Sequence, residues 1–430
     1  MLVGEIGLVT ERHPDTISVN SKTSVAVVSP IMPLDGAGGV ASAHYNIYRC
    51  LKLLGCKTRL LTFNDMKLSS GETEVIRCGA SRRLKSLLAF GIYCYLKMIG
   101  SNKPAYQLAD IIFSIPGSLQ LRRHLRVLNP DITIIPDHGA PGLSLCNKRA
   151  PIILIVHHIP ARFISNPLLG DCCHQDVAKA TVLEQRVLNS VNAVVCPTAY
   201  IKKVFQETYS FSGEVVVIPN MIDESLIDAI SVHDVRAELT LSREVPVVYI
   251  PSAGSHLKGA RYVFEIVRRL SKACKGPLGF YLSGAIDPAL KAELDHAPEN
   301  AFLFMPGRVS MQTNISFVKS CTFGVSPTLI ENFGMALLEA GFCHVPMVTF
   351  EVGGNGEVIC NGKNGLLVPF LDMERLIGDA TKFLNAEYCA MIRRSTGSFV
   401  RERFNFYSIA EQYLAFCKKQ IRAFEENGLR

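Results

Sequence analysis

Two glutamates, Glu331 and Glu339, stand eight residues apart in Ser326-Pro-Thr-Leu-Ile-Glu-Asn-Phe-Gly-Met-Ala-Leu-Leu-Glu339. The run 323–326 reads as a short buried strand that ends in a turn, and a helix is expected to open straight after Asn332. The amides of Phe333, Gly334 and Met335 would then be unpaired N–H groups at a helix N-terminus, a place that holds anions such as phosphate. Eight helical residues cover about 12 Å, which sets the distance along the axis to the second carboxylate. A carboxylate beside an anion is repulsive unless the ligand also brings hydrogen-bond donors, and sugar and ribose hydroxyls are such donors. The pattern predicts a holder for a nucleoside diphosphate sugar. Taken singly, each glutamate also passes as a helix-start acid favoured by the macrodipole or as an ordinary surface residue.

Four more places carry chemistry of the same kind. Lys258 precedes Gly259 at what reads as another helix start, where an ammonium can neutralise diphosphate charge as a bond breaks. Gly38 and Gly39 follow the loop 30–37 and precede a helix, so the backbone there can approach a phosphate or sugar closely; a plain turn is the alternative. His157 ends the strand 151–156 at the carboxyl edge, where open α/β sheets bind ligands. His158 is one residue away, and a structural histidine is the alternative for either. Gly307 and Arg308 follow a further strand end. No Asp-x-Asp occurs, so the usual sequence cue for a metal-held diphosphate is missing, and no metal ligand set, obligatory metal or other cofactor is predicted. No Ser-His-Asp or Cys-His spacing marks a protein nucleophile.

The combination Ser-Pro-x3-Glu331-x-Phe-Gly-x4-Glu339-Ala, then Pro346, Gly353-Gly354-x2-Glu357 and Asn361-Gly-x2-Gly365-Leu-Leu-Val-Pro369 resembles the donor-binding half of the retaining family-4 glycosyltransferases. Gly38-Gly39, His157, Ile218-Pro-Asn220-x2-Asp223 and Lys258-Gly259 extend the resemblance over residues 24–415. It implies a GT-B fold, two Rossmann-like domains facing across a cleft, with a last helix crossing back to the first domain. It also implies transfer of a hexosyl group from a nucleotide sugar with retention of configuration. In that reading Glu331 meets hydroxyls of the donor sugar, Glu339 binds the ribose, His157 contacts the sugar near the reacting carbon, and Gly307-Arg308 grip the base through the backbone. Asn220 and Asp223 are capping and hinge residues. The family usually places an arginine about five residues before the lysine; the segment 250–256 has none, and Ser252, Ser255 or His256 stand as replacements.

The elements that must position these groups follow from composition and periodicity. At 430 residues with 48% hydrophobic and 19% charged content, two well-buried domains are expected. Short aliphatic runs at 25–29, 58–63, 132–136, 152–156, 193–196 and 215–218 alternate with helical patterns, as in parallel βαβ sheets. A second series lies at 247–250, 279–282, 301–304, 322–325, 347–350 and 366–368. The predicted layout is a loose leader at 1–22, an acceptor domain at 23–225 joined by a C-terminal helix at 405–425, and a nucleotide-sugar domain at 226–404. The 14 cysteines lack paired spacing and read as free thiols of a cytoplasmic protein.

Charge is uneven. Between Arg77 and Arg126 lie nine of the 45 basic residues and one of the 38 acidic ones; the rest of the chain is close to balance. Within this stretch 81–99 is an apolar, aromatic run with Arg82, Arg83, Lys85 and Lys97 at its ends. It is too short to span a bilayer. It suits a helix lying in an anionic membrane surface, and an ordinary Rossmann helix with a solvated edge is the other reading. The expected activity is assembly of a cell-surface glycan or glycolipid of lipopolysaccharide or exopolysaccharide type, at the cytoplasmic membrane face. The acceptor would be a glycan or lipid-linked molecule, not nucleic acid. A soluble transferase making a small glycoside shares every donor motif, and a catalytically weak sugar-nucleotide binder fits the absent arginine. Gly36-Ala-Gly38-Gly39 is a poor match to a nicotinamide-binding fingerprint.

Overall fold

The computed structural model describes residues 23–428 apart from 33–37, 66–74, 102–104, 146–148, 165–167 and 169–172. The leader at 1–22 and most of the loop before Gly38 lie outside the described residues. Seven strands form the first sheet: β1 (Ser24–Ser29), β2 (Lys57–Thr62), β3 (Val75–Arg77), β4 (Ile132–Pro136), β5 (Ile152–Ile155), β6 (Ala193–Cys196) and β7 (Glu214–Val217). Their order is β3-β2-β1-β4-β5-β6-β7. Six form the second: β8 (Val247–Ile250), β9 (Leu278–Leu282), β10 (Ala301–Phe304), β11 (Phe323–Ser326), β12 (Met347–Phe350) and β13 (Gly365–Val368), in the order β10-β9-β8-β11-β12-β13. Every pairing is parallel. Helices cover both faces, so the inner strands are continuous apolar runs; Val25, Val27, Ile134 and Val248 are essentially inaccessible.

The strand order reverses between β1 and β4 in the first sheet and between β8 and β11 in the second. Connections leave such a point in opposite directions and open a crevice beyond the carboxyl ends of the strands. Gly38-Gly39 follows β1, Asp137 follows β4, Lys258 follows β8 and Glu331 follows β11. These four positions thus sit beside the two crevices.

The final helix, Phe406–Gly428, packs on the helix Gly39–Leu53 of the first domain. Ile409, Tyr413 and Cys417 join Ile47, Cys50 and Leu51 in one core. Glu214 of β7 accepts from Lys419 Nζ at 2.6 Å and Gln420 Nε2 at 2.9 Å. Between the sheets Asp223 caps the helix Glu224–Ala229 through the amide of Ser225 (3.1 Å) and pairs with Arg49 (2.8 Å).

Two readings from sequence need correction. The first sheet has an edge strand, β3, that was not predicted; three residues cannot show a period, and β2 alone supplies its pairing. The basic stretch is also less uniform than its sequence suggests. The helix Arg82–Met98 buries only Ile92, and Arg82, Arg83 and Lys97 are exposed. Lys85, however, turns back and donates to Asn64 Oδ1 at 2.7 Å, while Arg77 pairs with Asp65 at 3.5 Å. Leu87 (68% exposed), Phe90 (65%) and Met98 (80%) share the outward face. Among the described residues no helix is long and apolar enough to cross a membrane.

Candidate active site

The turn after β11 brings Glu331 and Lys258 together. Lys258 Nζ donates to Glu331 Oε2 at 2.6 Å, with side chains 33% and 18% exposed. Lys258 ends a single helical turn, His256–Lys258, that closes on Gly259 at φ 83°. A Cβ at Gly259 would lie 2.0 Å from Pro327 O, so glycine lets the β8 loop pack under the β11 loop. Leu329 N, bonded to Leu257 O at 3.0 Å, ties the two loops.

The helix after Glu331 begins at Met335, later than expected, and runs to Phe342. Gly334 is left-handed at φ 80°, ψ 52°. A Cβ there would meet Leu337 Cδ1 at 3.0 Å and Asn355 Oδ1 at 3.1 Å, in a conformation that already disfavours L side chains. Leu337 and Leu338 both donate to Gly334 O, at 2.9 and 3.1 Å, which leaves the amides of Met335 and Ala336 at the open end. Phe333 and Gly334 therefore precede the helix. The Phe333 ring is buried against Phe404 at 5.7 Å, so only its backbone can meet a ligand. Glu331 also lies off the helix, so the helical spacing predicted between the two carboxylates does not apply.

Glu339 is on that helix and partly buried. Burial pushes its carboxyl up to about 7; burial, then the charge of Glu339, also raises the phenol of Tyr249 and the thiol of Cys343. Among the described residues its carboxylate has neither a hydrogen bond nor an ion pair. Tyr249 stacks on Tyr281 at 5.5 Å, and Tyr281 donates to Asn314 Oδ1 at 2.7 Å. Glu339 is thus an open acceptor beside an aromatic floor. Gly307 is left-handed at φ 78°, with nothing within 4 Å of an added Cβ, and Arg308 is exposed; neither is bonded to the Glu331–Lys258 pair.

Across the cleft Gly38 caps the helix Gly39–Leu53, and a Cβ on it would meet nothing within 4 Å. Packing does not demand glycine there. A Cβ on Gly39 would lie 3.6 Å from Met335 Cγ, so two helix N-termini face each other, each with the partial positive charge that favours an anion.

His157 is buried, with its ring 5.2 Å from that of His44. Burial, then the charge of His138, lower it to about 3, so the ring is neutral near pH 7. Its Nε2 is buried without a hydrogen-bond partner, and its carbonyl accepts from Asn332 Nδ2 beside Glu331. His158 turns away instead, Nε2 lying 2.7 Å from Gln107 Oε1. Geometry therefore places His157, and not its neighbour, against the Glu331–Asn332 turn. Asp137 fixes both through their amides, at 2.9 Å to His157 and 2.7 Å to His158.

Sequence reasoning missed several residues here. Arg162 Nη2 donates to Glu331 O at 3.2 Å and lies over the Tyr200 ring at 5.2 Å, but its turn carries no motif. Asp137 had a usable signal, a carboxylate directly after a strand at the carboxyl edge. Of the suggested stand-ins for the absent arginine, Ser252 is engaged through its amide by Ser283 Oγ at 3.1 Å, and His256 Nε2 sits 3.4 Å from Arg261 Nη2. Arg261 is the cation beside the Lys258 turn that sequence reading did not single out. Among the described residues no group of three or more His, Cys, Asp or Glu is placed to hold a metal ion, and the cysteines are free thiols.

Residues 37–226 match the model of glycosyltransferase family 4, and residues 233–398 match that of glycosyl transferases group 1. An uncharacterised glycosyltransferase of Methanocaldococcus jannaschii is 26% identical over 53% of this chain and 57% of its own length; the chain thus spans little more than half of that relative. The D-inositol 3-phosphate glycosyltransferase of Arthrobacter sp. is 34% identical over 20% of this chain and 21% of its own length. Sucrose-phosphate synthase from Thermosynechococcus elongatus superposes with a TM-score of 0.72 over 93% of this chain and 100% of its own, at 16% identity. The catalytic domain of Arabidopsis thaliana starch synthase IV, bound to ADP and acarbose, gives 0.67 over 93% and 99%, at 12% identity. Anabaena HepE in complex with UDP-glucose gives 0.62 over 92% and 99%, at 16% identity. Two parallel-sheet domains with facing switch-point loops, and a last helix returned to the first domain, define the GT-B fold. The two matched models together cover most of the chain, and it belongs to family 4 of the glycosyltransferases.

Proposed function

We propose that this glycosyltransferase retains the anomeric configuration of its donor, a nucleoside diphosphate sugar, and builds a cell-surface glycan on a lipid-linked acceptor. The observation that carries the reading is the Lys258–Glu331 pair at 2.6 Å, set between two helix N-termini. Lys258 and the amides of Met335 and Ala336 offset the growing charge on the leaving diphosphate, without an obligatory metal. Glu331 holds sugar hydroxyls and Glu339 holds the ribose. The backbone beside Gly307-Arg308 receives the base, and neutral His157 faces the reacting carbon. The diphosphate leaves on the side where the acceptor hydroxyl arrives and takes its proton, and closure of the cleft limits hydrolysis. UDP and ADP sugars are the first donors to try, because two structural neighbours hold those nucleotides. The test is NMR of the product formed in buffer containing EDTA. The donor's own anomeric configuration preserved in the product is expected; an inverted linkage, or loss of turnover rescued by manganese, counts against the reading.

A membrane-borne acceptor is supported by the helix Arg82–Met98, whose exposed residues include Leu87, Phe90 and Met98 and whose ends carry exposed Arg82, Arg83 and Lys97. Attraction to anionic lipid is worth about 1 kcal/mol per basic residue near the surface. The Arg82→Glu, Arg83→Glu, Lys97→Glu variant should lose co-sedimentation with phosphatidylserine vesicles at low salt, and high salt should release the wild type. Wild-type protein that ignores such vesicles would favour a soluble acceptor.

A further inference from the structure

We propose that Glu357 is a positioning residue: it clamps a helix of the acceptor domain onto the donor turn and so sets where His157 stands relative to Glu331. This rests on the reading of Glu331 as donor-binding. The helix Ala199–Thr208 belongs to the first domain, and its own N-cap, Thr198, satisfies only the amide of Ile201 (3.1 Å) through its side chain. The amides of Ala199 and Tyr200 are taken by the second domain. Glu357 Oε2 accepts from Ala199 N at 2.8 Å and Oε1 from Tyr200 N at 3.0 Å, across 158 and 157 residues of chain. A carboxylate on two orphan donors at a helix N-terminus makes two charge-assisted bonds aligned with the dipole.

Three further contacts converge on the same place. Thr198 Oγ1 donates to Asn332 O at 3.0 Å. Arg162 joins Glu331 O to the ring of Tyr200, the residue whose amide Glu357 holds. Asn332 Nδ2 donates to the carbonyl of His157. The short helix Asn355–Val358, which carries Glu357, is in turn keyed to the donor turn by glycine: a Cβ at Gly353 would lie 1.8 Å from Glu331 O, and one at Gly354 would lie 2.2 Å from Asn332 O and 2.7 Å from Thr198 Cγ2. Backbone packs directly on backbone there, so a shift of Glu357 moves Glu331 with it. Glu357 itself touches neither sugar nor diphosphate in the proposed binding mode; it acts through the two turns it joins.

The test compares Glu357→Ala with wild type and with Glu357→Gln, which keeps one acceptor oxygen, as full-length chains without any donor. Hydrogen exchange at Ala199 and Tyr200 should rise about tenfold or more in Glu357→Ala. Exchange should also rise at residues 330–334, and small-angle scattering should show a larger radius of gyration, with Glu357→Gln restoring part of each. If faster exchange stays confined to 199–201, with the donor turn and the scattering curve unchanged, Glu357 is a local cap and the proposal fails. Should Glu357→Ala not fold, Glu357→Gln decides alone: wild-type exchange at 330–334 together with faster exchange at 199–200 overturns the coupling. No donor is used, so the outcome stands apart from whether the proposed transfer reaction is right.

Discussion

Replacing Lys258 with alanine is expected to lower turnover by about 10²–10³-fold, the loss seen when a preorganised group facing developing charge is removed. Its ammonium is held by Glu331 at 2.6 Å, on the turn where the diphosphate is proposed to bind. Charge on the leaving group grows as the glycosidic bond breaks, and the loss should fall on kcat more than on donor affinity. The pair is a third exposed on the lysine side, so the melting temperature should change little. Lys258→Arg keeps the charge but brings a planar fork into a turn closed by Gly259 against Pro327, and it should recover only part of the rate. Steady-state kinetics at saturating donor check the result. A loss below tenfold would shift the diphosphate onto His256, Arg261 or the helix amides.

The second large effect concerns pH. Burial raises the Glu339 carboxyl from an ordinary 4.5 to about 7. A carboxyl raised on folding contributes stability that is full below about pH 4.5 and is lost as the pH climbs through 7. The ligand-free protein should therefore melt lower at pH 8 than at pH 5, and Glu339→Gln should flatten that part of the difference. Ligand binding runs the other way. Ribose hydroxyls donate to the ionised form, so nucleotide binding should release a proton and tighten as the pH rises from 6 to 8. Glu339→Gln should weaken binding at pH 8 by about 10- to 100-fold, the range of a hydrogen bond to a charged group, and should remove its pH dependence. Calorimetry with UDP and with ADP at pH 6 and 8, in two buffers of different ionisation enthalpy, measures both. Wild-type affinity independent of pH would remove Glu339 from the ribose site.

Much of this protein was legible in its amino-acid order. Runs such as 25–29 and 132–136 carry a single hydroxyl residue each, Ser29 and Thr133, and are otherwise without polar side chains because both faces of a parallel sheet are covered, so strands and sheet type follow from local pattern. The spacing of Glu331, Gly334 and Glu339 is local too, but with the helix running from Met335 to Phe342 only Glu339 keeps the helical place read for it. Elements that depend on a partner were not legible. Strand β3 exists because β2 offers it a ladder. The helix starts only at Met335 because Gly334 takes a left-handed conformation, where a Cβ would also meet Asn355 of another element. Lys85 reads as part of a basic surface until Asn64, 21 residues earlier, is seen to accept its ammonium. Lys258 and Glu331, 73 residues apart, become one ion pair only because β8 and β11 are neighbours at a switch point. Glu357 and the amides of Ala199 and Tyr200 meet only because two domains fold separately and then dock. Sequence determined what most segments are and which groups are candidates for a ligand, since propensity and motif spacing act within a few residues. Tertiary structure decided which groups touch, because that depends on strand order and domain docking, which join residues far apart in the chain.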